Sequence, residues 1–110
     1  MTAKYEVHGS VAVITLDNPP VNGLGYATRV GITDSLQKAN ADAAVKSMVL
    51  TGAGKGFCAG GDISGMEKRM NAPAGEVGFN GWHRQQRVHH TQMLLHTMPK
   101  PVIAAVNGAA

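Results

Sequence analysis

Cysteine is almost missing from this chain. Cys58 stands alone, so no internal disulfide can form and packing must hold the fold. Aromatic residues are scarce too: Tyr5, Tyr26, Phe57, Phe79 and Trp82 leave the core to Val, Ile, Leu, Ala and Met. No apolar run approaches the roughly 20 residues that span a bilayer, and the start "MTAKYEVHG" lacks the basic and then apolar blocks of a secretory leader. Ten Lys and Arg stand against seven Asp and Glu, but they are scattered, so the net charge of +3 marks no nucleic-acid tract. A small anionic ligand suits that balance better. Together these absences imply a cytoplasmic, reducing setting, with neither nucleic acid nor membrane as a partner.

What remains is ordinary for one small globular domain: 110 residues, 44% hydrophobic and 15% charged. "KYEV" alternates polar and apolar, "HGS" turns, and the continuous run "VAVITL" predicts a hairpin whose second strand is buried on both faces. "DNPPVNGLG" breaks regularity with two prolines and three small turn-formers, Asn22, Gly23 and Gly25. From about Ala27 to Ala43, Ile32, Leu36, Ala39 and Ala43 recur at offsets of 4, 7 and 11, one face of a helix, with Asp34 and Lys38 as an i,i+4 pair. Gly31 weakens that helix by about 1 kcal/mol relative to alanine. "SMVLT" predicts a buried strand, "SGME" a capping box with Ser64 at the N-cap and Glu67 at the third position, and a short helix running to about Met70. A longer helix follows from about Val77 to Met98, with Phe79, Trp82, Gln86 and Met93 near one face, and "PKP" ends it before a buried strand "VIAAV". The order β, β, α, β, loop, short α, long α, β predicts an α/β fold with a partly parallel sheet. The final "VNGAA" leaves nothing to cover the last strand, as in an interrupted domain; residues 1–110 read as one N-terminal part with no second domain.

Between the third strand and the short helix lies "GKGFCAGGD", residues 54–62, with four glycines. A dinucleotide fingerprint is the wrong reading, since glycines at 52, 54 and 56 do not give GxGxxG. A Walker A loop fails as well: Val49 stands where the first glycine is needed, and Gly56 follows Lys55 where Ser or Thr must hold magnesium. Two readings stay open from spacing: a tight turn with glycine at positive φ and no ligand, or a nest of backbone N–H groups that holds an anion or a developing oxyanion.

Other candidates have plainer explanations. Cys58 has no identifiable base and reads as a small residue in a tight loop. His83, His89, His90 and His96 include no i,i+4 pair on one helical face, so no metal site is expected. Asp62 favours the positive end of the following helix and Glu67 belongs to its cap. Arg84 and Arg87, with Lys68 and Arg69 upstream, read as a solvated helix face or a phosphate patch.

"NPPVNGL", "MVLTGAGKGFCAGGDISGM" and "MPKPVIAAVNG", in that order and covering essentially the whole chain, resemble the enoyl-CoA hydratase/isomerase (crotonase) family. The resemblance implies a crotonase-like (ClpP/crotonase) spiral of ββα units, incomplete at the C-terminus. It implies an acyl-CoA enzyme, most simply a hydratase that adds water to a 2-enoyl-CoA. Alternatives are a double-bond isomerase, the hydratase part of a multifunctional β-oxidation protein or, in another class, a non-catalytic CoA-binding or oligomerising fragment. By resemblance, Gly61 donates one oxyanion-hole N–H, Ala59, Asp62 and Ile63 lie against coenzyme A, and Lys55 contacts a phosphate. Ser64 stands where the family often has a further basic residue. The family's second oxyanion donor and its two glutamates fall beyond Ala110, so the 110-residue chain is expected to be inactive by itself. No cofactor is implied apart from the coenzyme A of the substrate, and the full-length form is expected to be a trimer-based homo-oligomer.

Overall fold

A computed structural model describes residues 2–110. The elements follow the expected order: β1 (Ala3–His8), β2 (Val11–Leu16), α1 (Tyr26–Ala41), β3 (Ser47–Gly52), α2 (Ile63–Met70), α3 (Ala74–Thr97) and β4 (Val102–Ala105). The four strands form one sheet in sequence order. Gly9, at φ +62, turns β1 back onto β2 as an antiparallel hairpin with Tyr5 opposite Ile14. The other two pairings are parallel, Ile14 with Leu50 and Leu50 with Ala104. Helix α1 makes the first crossover and the pair α2–α3 the second, as a parallel sheet requires.

The core is built from the first half of the chain. Ala12, Ile14 and Leu16 of β2 meet Ile32, Leu36 and Ala39 of α1, with Ala3, Val45 and Met48 closing the cluster. The apolar run of β2 is not buried on both faces as predicted. Only alternate residues face α1, and Val11, Val13 and Thr15 are half-buried on the other side. A uniformly apolar run cannot reveal which faces are covered. Gly31 gains its reason here: a Cβ at that position would lie 2.9 Å from the Ala3 Cβ, so its bareness lets α1 approach β1.

Three further local expectations are corrected. Ala43 lies beyond α1 and is exposed. Lys38 does not pair with Asp34; its ammonium sits 4.8 Å from the centre of the Tyr5 ring, where the ring face attracts it. The cap of α2 falls two residues before Ser64, because the Asp62 carboxylate accepts from both the Ser64 N–H at 3.2 Å and its hydroxyl at 3.0 Å.

Helix α3 starts three residues earlier than expected, behind Pro73, and ends at Thr97. Phe79, Trp82 and Met93 are 63%, 59% and 53% exposed, while Leu94 and Leu95 pack against the core. Thr91 is its one buried residue, linked to Thr33 of α1 by a 2.9 Å hydroxyl contact. The turn after α3 is tied back by Lys100, whose ammonium donates to the Ala39 and Asp42 carbonyls at the C-terminal end of α1. Strand β4 is mostly exposed, with Ile103 at 57%, and not buried as the run "VIAAV" suggested. Among the described residues, no helix is long and apolar enough to cross a membrane.

Candidate functional site

The glycine loop leaves β3 through a bend that allows no side chain. A Cβ on Gly52 would lie 2.6 Å from both the Gly56 and Phe57 carbonyls, and Gly54 and Gly60 have φ of +78° and +92°, a region that disfavours other residues. Two asparagines then hold the loop from either side. The Asn22 amide, 1% exposed, donates to the carbonyls of Ala53 (3.1 Å), Gly56 (3.0 Å) and Phe57 (3.3 Å), while its oxygen accepts from Asn18 N–H at 2.9 Å. Asn22 has φ +56°, which asparagine tolerates better than most residues. From the other side, Asn107 accepts from Gly52 N–H and donates to the Gly54 and Gly56 carbonyls. Phe57 and Cys58 both donate to the Ala109 carbonyl.

Past Cys58 the chain passes beside Leu24, with Gly61 opposite it in an isolated parallel bridge. Leu24 N–H donates to the Gly60 carbonyl at 2.7 Å, and Asp62 N–H donates to the Leu24 carbonyl at 3.4 Å. In a parallel bridge the residues before and after the bridged one make the hydrogen bonds, here the Gly60 carbonyl and the Asp62 N–H, so the Gly61 N–H turns away from Leu24. That amide meets no acceptor among the described residues, and Gly61 is exposed. By contrast, Ala59 N–H is taken by the Val21 carbonyl at 3.0 Å and Gly60 N–H by the Cys58 sulfur at 3.4 Å.

Of the residues singled out from the sequence, Ala59, Gly61, Asp62 and Ile63 lie on one continuous rim leading into α2, with Ile63 78% exposed. Lys55 is exposed on the other bend of the loop, with its own carbonyl packed against Gly108. The Asp62 carboxylate is occupied by the helix cap.

Beside this rim the structure gathers four arginines. A Cβ on Gly61 would lie 3.5 Å from Arg84 Nη2. Arg29, 9% exposed, donates through Nη1 to the Leu24 carbonyl at 2.8 Å, and burial followed by the charges of Arg84, Arg87 and Arg69 lowers its pKa. Arg69 is lowered in the same way, first by burial and then by Arg84 and Arg87. Arg87 also lies over the Tyr26 ring, 5.2 Å from its centre. Arg29 forms a wall shared by two cavities. One, about 320 Å³ between α1 and α3, is bordered by Tyr26, Arg87 and His90; the other, about 150 Å³, is an apolar slot under Leu24, Phe57 and Cys58.

The sequence model of enoyl-CoA hydratase/isomerase matches residues 6–110. The chain belongs to the enoyl-CoA hydratase/isomerase family. It is 38% identical over 107 residues to a crotonyl-CoA hydratase of Syntrophomonas wolfei, covering 96% of this chain and 38% of that protein. It is also 38% identical over 101 residues to the peroxisomal bifunctional enzyme of Cavia porcellus, covering 92% of this chain and 12% of that one. A solved enoyl-CoA hydratase/isomerase from Xanthobacter autotrophicus Py2 superposes with a TM-score of 0.86 at 32% identity, over 98% of this chain and 39% of its own. The crotonase-like fold expected from the sequence is therefore the fold observed. The chain spans about two fifths of the length of the single-function relatives it matches.

Sequence reading of this family member missed Asn22 as an anchor and Arg29 as part of the site. Asn22 looked like a turn-former because its partners are 31 to 35 residues away. Arg29 sits on α1 between the buried Thr28 and Ile32, and the arginines around it lie 40 or more residues away in the sequence.

Proposed function

We propose that the protein handles acyl-CoA thioesters, and that its reaction is the addition of water to a 2-enoyl-CoA with the thioester oxygen on the Gly61 N–H. The observation that carries this reading is that amide: a donor without an internal acceptor among the described residues, held between Gly60 and Asp62, which are both hydrogen-bonded. A fixed donor of this kind needs no reorganisation as charge develops on the thioester oxygen, and removing one commonly costs about 10²- to 10³-fold in rate. Ala59 and Ile63 flank the position where the pantetheine arm would lie, with Asp62 shaping the backbone through its cap. Lys55 supplies a cation for a phosphate of coenzyme A. Isomerisation of the double bond would use the same donor with a different acid/base set.

The chain by itself supplies no assigned general base, since Asp62 is engaged in its cap and Glu67 lies exposed on α2. With no base assigned among them, these 110 residues by themselves are expected to bind crotonyl-CoA weakly without measurable hydration. Amide NMR provides the test. Titration with crotonyl-CoA should move the Gly61 N–H resonance more than titration with free coenzyme A, because only the former carries the thioester oxygen. Equal shifts with both would remove Gly61 from the role, and rapid loss of enoyl absorbance would refute the inactivity of the chain.

A further inference from the structure

Arg29, Arg69, Arg84 and Arg87 form a concentration of positive charge that makes no ion pair among the described residues. Among the described residues, the cation–carboxylate contacts within ion-pair distance are Lys4–Asp17 and His8–Glu6, both on the β1 side of the molecule. Asp34 borders the larger cavity with Arg29 and Arg87 but pairs with neither. Two of the guanidiniums are also incompletely satisfied: the buried Nε–H groups of Arg29 and Arg84 have no hydrogen-bond partner. Burying a donor without a partner is unfavourable, and crowding like charges adds to the cost. An arrangement so unfavourable when empty is suited to an anion, whose carboxylate or phosphate oxygens match the planar guanidinium fork.

Position decides which anion. Arg84 lies against Gly61, where the thioester is proposed to sit, and Arg87 is one turn further along α3, at the cavity bordered by Arg29. The cluster thus lies beside the reacting end of the ligand, whereas Lys55, the proposed phosphate contact, is on the other bend of the loop. We propose that these arginines receive a carboxylate carried by the acyl group, making the preferred ligand a short acyl-CoA with an acidic acyl chain. This rests on the acyl-CoA reading above and adds to it a substrate class.

The test compares three probes by equilibrium dialysis at low salt: free coenzyme A, valeryl-CoA and glutaryl-CoA. The two acyl chains have equal carbon number and differ by a terminal methyl against a terminal carboxylate. One well-made charge-assisted contact corresponds to about 10-fold or more in affinity. Glutaryl-CoA should therefore bind at least about 10-fold more tightly than valeryl-CoA, and Arg84→Gln with Arg87→Gln should bring that ratio close to one. Lys46→Gln, at the far end of β3 from the loop, should leave the ratio unchanged, which separates a local site from general attraction by a basic chain. The comparison in the native chain needs no variant, and Arg84→Lys, which keeps the charge, should retain part of the preference.

Equal binding of the two thioesters by the native chain would overturn the inference while leaving acyl-CoA binding intact. Loss of affinity for all three probes in the double variant would place a phosphate of coenzyme A at the cluster and overturn the carboxylate assignment. Failure of the native chain to bind any of the three would remove the acyl-CoA reading, and this inference with it.

Discussion

The sheet with α1 and the arm formed by α2 and α3 are built on different terms. Every fully buried apolar residue, from Ala3 to Met48, belongs to the first region. Helix α2 has no buried residue and α3 only Thr91, while Ile63, Met70, Phe79 and Trp82 face outward. In the first region, residues close in sequence satisfy one another: β1 folds onto β2, and α1 covers the alternate residues of β2. The arm depends instead on a few links across the chain, chiefly Thr33 with Thr91 and the half-buried Leu94 and Leu95. Stability should therefore be concentrated in the first region, with Arg69 and Arg84, proposed above to face a ligand, on the less stable one and Gly61 on the loop that leads into it; binding segments are commonly drawn from such regions.

The harshest trial of this contrast is Leu36→Ala. Leu36 is 1% exposed at the centre of the core, and such truncations cost about 2–5 kcal/mol, a large part of the roughly 5–15 kcal/mol that holds a domain together. Urea denaturation followed by far-UV circular dichroism should show most of the cooperative transition lost. A midpoint within experimental error of the native one would mean that the sheet and α1 do not carry the fold.

Asn22→Ala probes the seam between the regions, with a somewhat smaller expected loss. The variant leaves the Ala53 and Phe57 carbonyls without their side-chain donor, while Gly56 keeps Asn107, and it places alanine at positive φ. Together these should cost about 2–3 kcal/mol. Hydrogen exchange should show faster amides from Ala53 to Asp62 than in β1 and β2. Uniform acceleration along the whole chain would show that loop and sheet open as one unit, and the contrast between regions would fail.

The same division explains which parts were legible in the sequence. Element order, the α1 face of Ile32, Leu36 and Ala39, and the position of the glycine loop all followed from periodicity and turn chemistry, because those signals arise from neighbours in sequence. Burial of "VAVITL" and "VIAAV" was overestimated, since an apolar run carries no record of what covers each face. The α2 cap was misplaced because Asp62 and Ser64 are both good N-caps and only the geometry chooses between them. Gly61 was found through resemblance to a family, and its unpartnered amide is a property of the pairing with Leu24 that no spacing encodes. Arg29 was invisible for the same reason: its significance comes from Arg69, Arg84 and Arg87, brought in from 40 or more residues away by the second crossover.

The smallest expected effect sharpens the contrast most. Trp82 and Phe79 form a tilted ring pair with centroids 6.1 Å apart, an arrangement worth about 0.5–1.5 kcal/mol when buried. Here both rings are more than half exposed, so water competes for their surfaces in the folded and unfolded states alike. Trp82→Ser should accordingly change stability by less than about 0.5 kcal/mol, and the native Trp82 fluorescence should be readily quenched by iodide. A loss approaching that of Leu36→Ala, together with protection from iodide that grows with protein concentration, would mean that this face of α3 is covered by another copy of the chain. The arm would then have a core of its own, assembled between molecules, and the unequal division of stability would hold only for the isolated chain.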